Sequence, residues 1–195
     1  MTRFVLATAN PDKVTEIRQI LGAGVELVRR PEEAGEVEEN GDTLAENARI
    51  KANALVQATG LPAIADDTGL EVEALDGRPG VFSARYAGEP GCAKENVAKL
   101  LSELRAQPGA SRRARFRTVA LARWPDGDEL VAEGEVSGTI APEPRGSGGF
   151  GYDPVFVPDE SDGRTFAELS PDEKNAISHR GRAFRLLAEM IDGHH

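Results

Sequence analysis

Apolar positions along this chain fall into short continuous runs and helical stripes that alternate through its first half. RFVLA (3–7) is an unbroken apolar run after its leading Arg3 and predicts a buried strand. NPDKVTEIRQILG (10–22) then switches to helical spacing, with Val14, Ile17 and Leu21 on one face. Asn10 suits the N-cap, Pro11 the first helical position and Gly22 the stop. VELVR (25–29) reads as a second short strand and the acidic stretch at 32–42 as a loop. Thr43 with Glu46 forms a capping box for an Ala-rich helix running to about Thr59, ended by Gly60 and Pro62.

PAIADDTGLEVEAL (62–75) predicts a strand, a turn and an alternating strand with Leu70, Val72 and Ala74 on one face, followed by a DGRPG turn. AKENVAKLLSELRA (93–106) is an amphipathic helix that turns Val97, Leu100, Leu101 and Leu104 inward. RFRTVALARW and ELVAEGEVSGTI, joined by PDGD, predict a β-hairpin. A glycine-rich loop (144–154) leads into the short strand VFV, and Ser170, Pro171 and Glu173 open a helical C-terminal region with a further capping box. Alternating helices and strands followed by a late hairpin predict a mixed α/β fold, with helices flanking an elongated sheet.

Charge narrows the function classes. The chain carries 33 acidic and 23 basic residues, a net charge of −10. Such a surface repels nucleic-acid backbones and anionic membranes, so an anionic ligand needs a local cluster of donors or a metal ion. Cys92 is the single cysteine, which excludes an intramolecular disulfide and suits a reducing cytosol. It reads as structural or incidental. The first ten residues hold one arginine and a very short apolar run, so neither a secretory leader nor a membrane span is expected. His194 and His195 could be a native end or a tag remnant and are left out of the site.

Candidate chemistry clusters at five places. Lys13 sits in the first turn of the first predicted helix, where the dipole disfavours a cation. Bound phosphate would reverse that cost, because N–H groups, the lysine and the donors of Thr8 and Asn10 would converge on one anion; an ordinary capped helix with a solvated lysine fits the same residues. Asp66 and Asp67 follow a strand, where α/β proteins place their sites. Neighbours on an extended chain face opposite ways. One carboxylate could then serve Mg²⁺ or an attacking water while the other braces the turn, or both could simply close a hairpin. Glu38, Glu39 and Asp42 offer a second metal ligand or a solvated loop. Phe150 and Asp153 stand among glycines, suited to stacking on a base and accepting from a ring N–H, or to a plain turn. Lys174, His179, Arg180 and Arg182 concentrate basic groups that could hold phosphate or base oxygens, or form a solvated helix face.

TANPDK, ENARIKA, IADDTGLEVEALDGRPGVFSARYAG, FGYDPVF and FAELSPDEKNAISHRGRA together resemble, in order and spacing, the inosine/xanthosine triphosphate pyrophosphatases. The resemblance covers nearly the whole chain. It implies a single domain over residues 1–195, built as two lobes around a nucleotide cleft, usually a cytosolic homodimer that uses Mg²⁺. It implies hydrolysis of ITP, dITP and XTP to the monophosphate and pyrophosphate. Thr8, Ala9, Asn10, Pro11, Asp12 and Lys13 would hold the triphosphate, and Thr68 would touch substrate. Asp67 would be general base and metal contact, with Glu38 rather than Glu39 sharing the metal. Phe150, Gly151, Tyr152, Asp153, Lys174, His179 and Arg180 would read base and sugar. Donors from His179 or Arg180 to O6, with Asp153 or a backbone carbonyl accepting from N1–H, would reject adenine by about 10⁴–10⁵. A phosphohydrolase releasing orthophosphate and a non-catalytic nucleotide sensor are the alternatives.

Overall fold

The computed structural model describes residues 3–31, 34–35 and 37–194. Positions 32, 33 and 36 of the predicted acidic loop, and His195, lie outside the described residues. Strand β1 (Arg3–Leu6) leads into helix α1 (Pro11–Leu21), strand β2 (Glu26–Val28) and helix α2 (Leu44–Thr59). Strand β3 (Ala63–Val72) and the short β4 (Pro79–Gly80) precede helix α3 (Ala93–Arg105). Strands β5 (Arg113–Arg123), β6 (Glu129–Ile140) and β7 (Phe156–Pro158) are followed by helices α4 (Pro171–Ile177) and α5 (His179–Asp192). The sheet order is β2-β1-β3-β5-β6-β7, with β4 pairing antiparallel to β3.

Local chemistry explains the helix ends. The Asn10 side chain accepts from the Asp12 and Lys13 N–H groups, with Pro11 at the start. Reciprocal capping boxes form at Thr43/Glu46 and Ser170/Glu173. Gly60 ends α2 in the left-handed region at φ 67°, which glycine adopts without penalty. Cys92 is exposed and occupies the N-cap position of α3 without a side-chain cap bond. The β5–β6 hairpin closes with the Trp124 N–H donating to the Asp128 carbonyl.

The predicted turn at Asp66–Thr68 is absent. Residues 63–72 form one unbroken strand, and Ala74 lies beyond it in a single 3₁₀ turn. Both aspartates meet cations from neighbouring elements, so extended backbone can carry them buried and no turn is needed to expose them.

The chain divides into two compact units, one taking in the chain up to Asp67, Thr118–Gly134 and everything from His179, the other Thr68–Arg117 and Glu135–Ser178. The first packs Phe4, Ile17, Ile64 and Phe184 into its core, with α1 against α5. The second packs Leu70, Leu100, Phe116, Phe156 and Phe166. In the first unit β1 lies between β2 and β3 and runs parallel to both. The chain therefore crosses to opposite sides of β1 in turn. The carboxyl end of β1 lies level with the first residues of β3, Leu6 beside Ile64, so the turn after β1 leaves the sheet next to Asp66 and Asp67. No helix among the described residues is long and apolar enough to cross a membrane.

Candidate active site

Residues 7–13 leave the end of β1 and enter α1. Asn10 donates its N–H to Thr8 Oγ1 and caps the helix. Lys13 donates its ammonium to Asp66 Oδ2 at 2.9 Å. The cation in the first turn thus has a buried counter-charge on β3; its Asp66 side chain is 0% exposed. Arg180, at the start of α5, approaches Asp66 through Nε at 3.6 Å and bonds Glu16 of α1 through Nη1 at 2.6 Å. Burial alone would raise the Asp66 carboxyl, but Lys13, Arg180 and Lys51 outweigh it and hold it well below the usual carboxylate range. Burial lowers the Lys13 ammonium by more than Asp66 restores.

Asp67 points the other way, as alternation along a strand requires. It accepts from Lys51 Nζ at 3.1 Å and Asn47 Nδ2 at 3.2 Å. Asn47 and Lys51 stand four apart on α2 and so share one face. Lys51 also meets Glu39 at 3.2 Å. Burial raises the Asp67 carboxyl, Glu39 adds to the rise, and Lys51 and Lys13 oppose it. Asn47 Oδ1 accepts from the Gly41 N–H at 2.8 Å and ties the end of the acidic loop to α2. A Cβ on Gly41 would fall 2.7 Å from the Glu46 Cβ, so glycine is required for that approach.

Glu39, rather than Glu38, is the acid that shares Lys51 with Asp67; Glu38 is exposed. Two hard oxygen donors converging on one cation fit Mg²⁺, which takes one or two carboxylates and leaves its other positions to water and phosphate. No cluster of three or more acidic, histidine or cysteine residues suited to a metal exists among the described residues.

The glycine-rich loop belongs to the second unit. Asp153 Oδ2 accepts from the Phe150 N–H at 2.8 Å and from Lys174 Nζ at 2.6 Å. Lys174 also lies 4.8 Å from the centre of the half-buried Phe150 ring. Gly149 is at φ 66°, and a Cβ there would sit 2.1 Å from Asp153 Oδ2. Tyr152 is buried, and its hydroxyl donates to the Ser83 carbonyl. This part of the loop is folded around a buried ion pair and presents Phe150.

The sequence-predicted residues therefore form two groups. Thr8 to Lys13, Asp66, Asp67, His179 and Arg180 belong to the first unit; Thr68, Phe150 to Asp153 and Lys174 belong to the second. His179 and Arg180 are each 2% exposed. Sequence reasoning passed over Asn47, Lys51 and Glu16. A polar pair four apart on an otherwise Ala-rich buried face was the available signal for the first two.

Buried carboxylates set among lysines, beside the carboxyl end of β1 in a mixed α/β sheet, define an enzyme-like site for an anionic ligand. The chain belongs to the Ham1 family, whose model matches residues 4–190. It is 50% identical to the dITP/XTP pyrophosphatase of Streptomyces coelicolor, over 98% of each chain. It is 51% identical to the dITP/XTP pyrophosphatase of Geobacter sulfurreducens, over 98% of this chain and 97% of that one. The solved structure of a HAM1 protein from Coxiella burnetii superposes with a TM-score of 0.90 at 42% identity, covering 100% of both chains.

Proposed function

We propose that this protein hydrolyses non-canonical purine nucleoside triphosphates, ITP, dITP and XTP, to the nucleoside monophosphate and pyrophosphate. Relatives of half-identical sequence bear the name dITP/XTP pyrophosphatase. The observation that carries the reading is the buried Asp67 carboxylate, raised in pKa and held by Lys51 and Asn47 within the same α/β unit as Lys13.

In this reading Asp67 accepts the proton of a water whose oxygen bonds to the α-phosphorus. The α–β bridging P–O bond breaks and pyrophosphate leaves. A carboxyl raised by burial is better matched to that proton transfer than an ordinary aspartate. Lys13, Lys51 and the Thr8–Asn10 turn grip the phosphates and offset charge building on the leaving group. Asp66, Glu16 and Arg180 keep Lys13 aimed. Asp67 and Glu39 would hold Mg²⁺, which when bound supplies positive charge against the triphosphate. Within the second unit Phe150 presents a ring face steadied by the Asp153–Lys174 pair. Arg180 bonds Glu16 and Asp153 bonds Lys174, which supports a positioning role for each beside the base-edge role that the resemblance implies. The family resemblance extends the proposal to a cytosolic homodimer.

A panel of nucleoside triphosphates with Mg²⁺, read out as pyrophosphate, tests it. ITP, dITP and XTP are expected to turn over far faster than ATP. Orthophosphate as the product would establish the phosphohydrolase alternative. Asp67→Asn is expected to bind nucleotide without turning it over; near-normal turnover would remove Asp67 from the base role.

A further inference from the structure

Helix α2 turns one side-chain amide toward both members of the proposed metal pair. Asn47 is fully buried in the first unit, on the face of α2 that also carries Lys51. Its Nδ2 donates to Asp67 Oδ2 at 3.2 Å, and its Oδ1 accepts from the Gly41 N–H at 2.8 Å. The two partners fix the amide's orientation, because a backbone N–H needs an acceptor and a carboxylate needs a donor. Lys51 bonds Oδ1 of Asp67 and Asn47 bonds Oδ2, so turning the carboxylate would break both bonds.

The other end of the amide acts on Glu39 through the chain. Gly41 lies two residues after Glu39, and a Cβ on Gly41 would fall 2.8 Å from Asn47 Oδ1 and 3.1 Å from the Asn47 nitrogen. Only glycine lets the backbone come that close. The Asp42 and Thr43 N–H groups donate to Glu46 Oε2, and the Asn47 N–H donates to the Thr43 carbonyl. The chain from Gly41 to Thr43 is thus fastened to the first turn of α2, and Glu39, just before it, meets Lys51 at 3.2 Å. Lys51 touches both acids as well, but its positive charge opposes a cation brought between them. The neutral Asn47 orients the same acids without that repulsion.

We propose that Asn47 is the positioning residue that sets the spacing of Asp67 and Glu39, so that both carboxylates can face one divalent cation. The inference rests on the proposed function, which takes these two acids as the metal donors. Asn47 touches neither nucleotide nor water in this role; it acts through Asp67 and the end of the acidic loop. Groups that hold a ligating carboxylate from behind govern metal affinity or activity by about 10–100-fold.

Titration of the nucleotide-free full chain with Mn²⁺, followed by loss of the free-ion electron paramagnetic resonance signal, tests it alongside ITP turnover. Asn47→Ala is expected to weaken Mn²⁺ binding at least about tenfold and to lower kcat by about 10–100-fold, with KM for ITP within about threefold because the Lys13 turn is untouched. Gly41→Ala leaves the α2 side chains in place and is expected to weaken Mn²⁺ binding in the same direction. Thr43→Ala loosens the same helix end without touching Asp67, so its melting temperature should fall while Mn²⁺ affinity stays within about twofold. Unchanged Mn²⁺ affinity in Asn47→Ala, or in Gly41→Ala should the first variant not fold, would overturn the positioning role. An equal loss in Thr43→Ala, or no Mn²⁺ binding by wild type, would do the same. The expected Mn²⁺ losses combined with no ITP turnover by wild type would overturn the hydrolytic reading alone.

Discussion

Replacing Asp66 with asparagine keeps its shape and removes the charge that two buried cations face. Arg180 retains Glu16 at 2.6 Å, so its loss is partial. Lys13 loses its only ion pair among the described residues, the 2.9 Å contact to a carboxylate that is 0% exposed. Breaking one side of a buried pair costs about 3–5 kcal/mol. The Lys13 side chain is 17% exposed, which places the expected loss near the lower end, about 3 kcal/mol. For a chain of this size that corresponds to a fall in Tm of roughly 6–12 °C at neutral pH. The pH dependence has a definite sign. The folded pKa of Asp66 is depressed, so its contribution is present above the unfolded carboxylate value of about 3.9 and is lost as pH falls through the folded value. Lys13 is depressed by burial, so raising pH neutralises it in both proteins and removes the interaction being compared. The gap between wild type and Asp66→Asn should therefore be widest near neutrality and narrow toward pH 10. Denaturant titrations and thermal melts across that range measure it. A variant melting within about 2 °C of wild type at pH 7, or a gap that widens in alkali, would refute the account.

Gly134 on β6 packs on the first turn of α5. A Cβ there would fall 2.2 Å from the His179 carbonyl oxygen and 2.5 Å from the Ala183 nitrogen, and neither backbone atom can rotate away. Gly134→Ala should cost about 1–3 kcal/mol in denaturant titration and lower kcat/KM for ITP by displacing Arg180; unchanged values for both would contradict this packing. Turnover against pH should show an acid limb above the ordinary aspartate value of about 3.9, since burial raises Asp67, and an alkaline limb below about 10.4, since burial lowers Lys13. An acid limb at or below the ordinary aspartate value would exclude Asp67 as the base. Thr43→Ala removes the side chain that accepts the Glu46 N–H and should cost about 1 kcal/mol by chemical denaturation, with no change in m.

The amino-acid order alone determined the helices, their caps and most strands. Asn10, Thr43 and Ser170 each satisfy orphan N–H groups within three residues, so their effect needs no knowledge of the rest of the chain. The apolar faces of α1 and α3 were legible for the same reason, because helical spacing is a local property. Tertiary structure decided the partners of the charges. Lys13 finds Asp66 across 53 positions, Lys51 finds Asp67 across 16, and Arg180 finds Glu16 across 164. Those pairings also decided that 63–72 is one strand, since cations from α1, α2 and α5 supply at depth what a turn would have sought in water. A hydrogen bond closed within a helical turn is written in its own segment. The counter-ion of a buried charge is set by where the folded chain brings another segment.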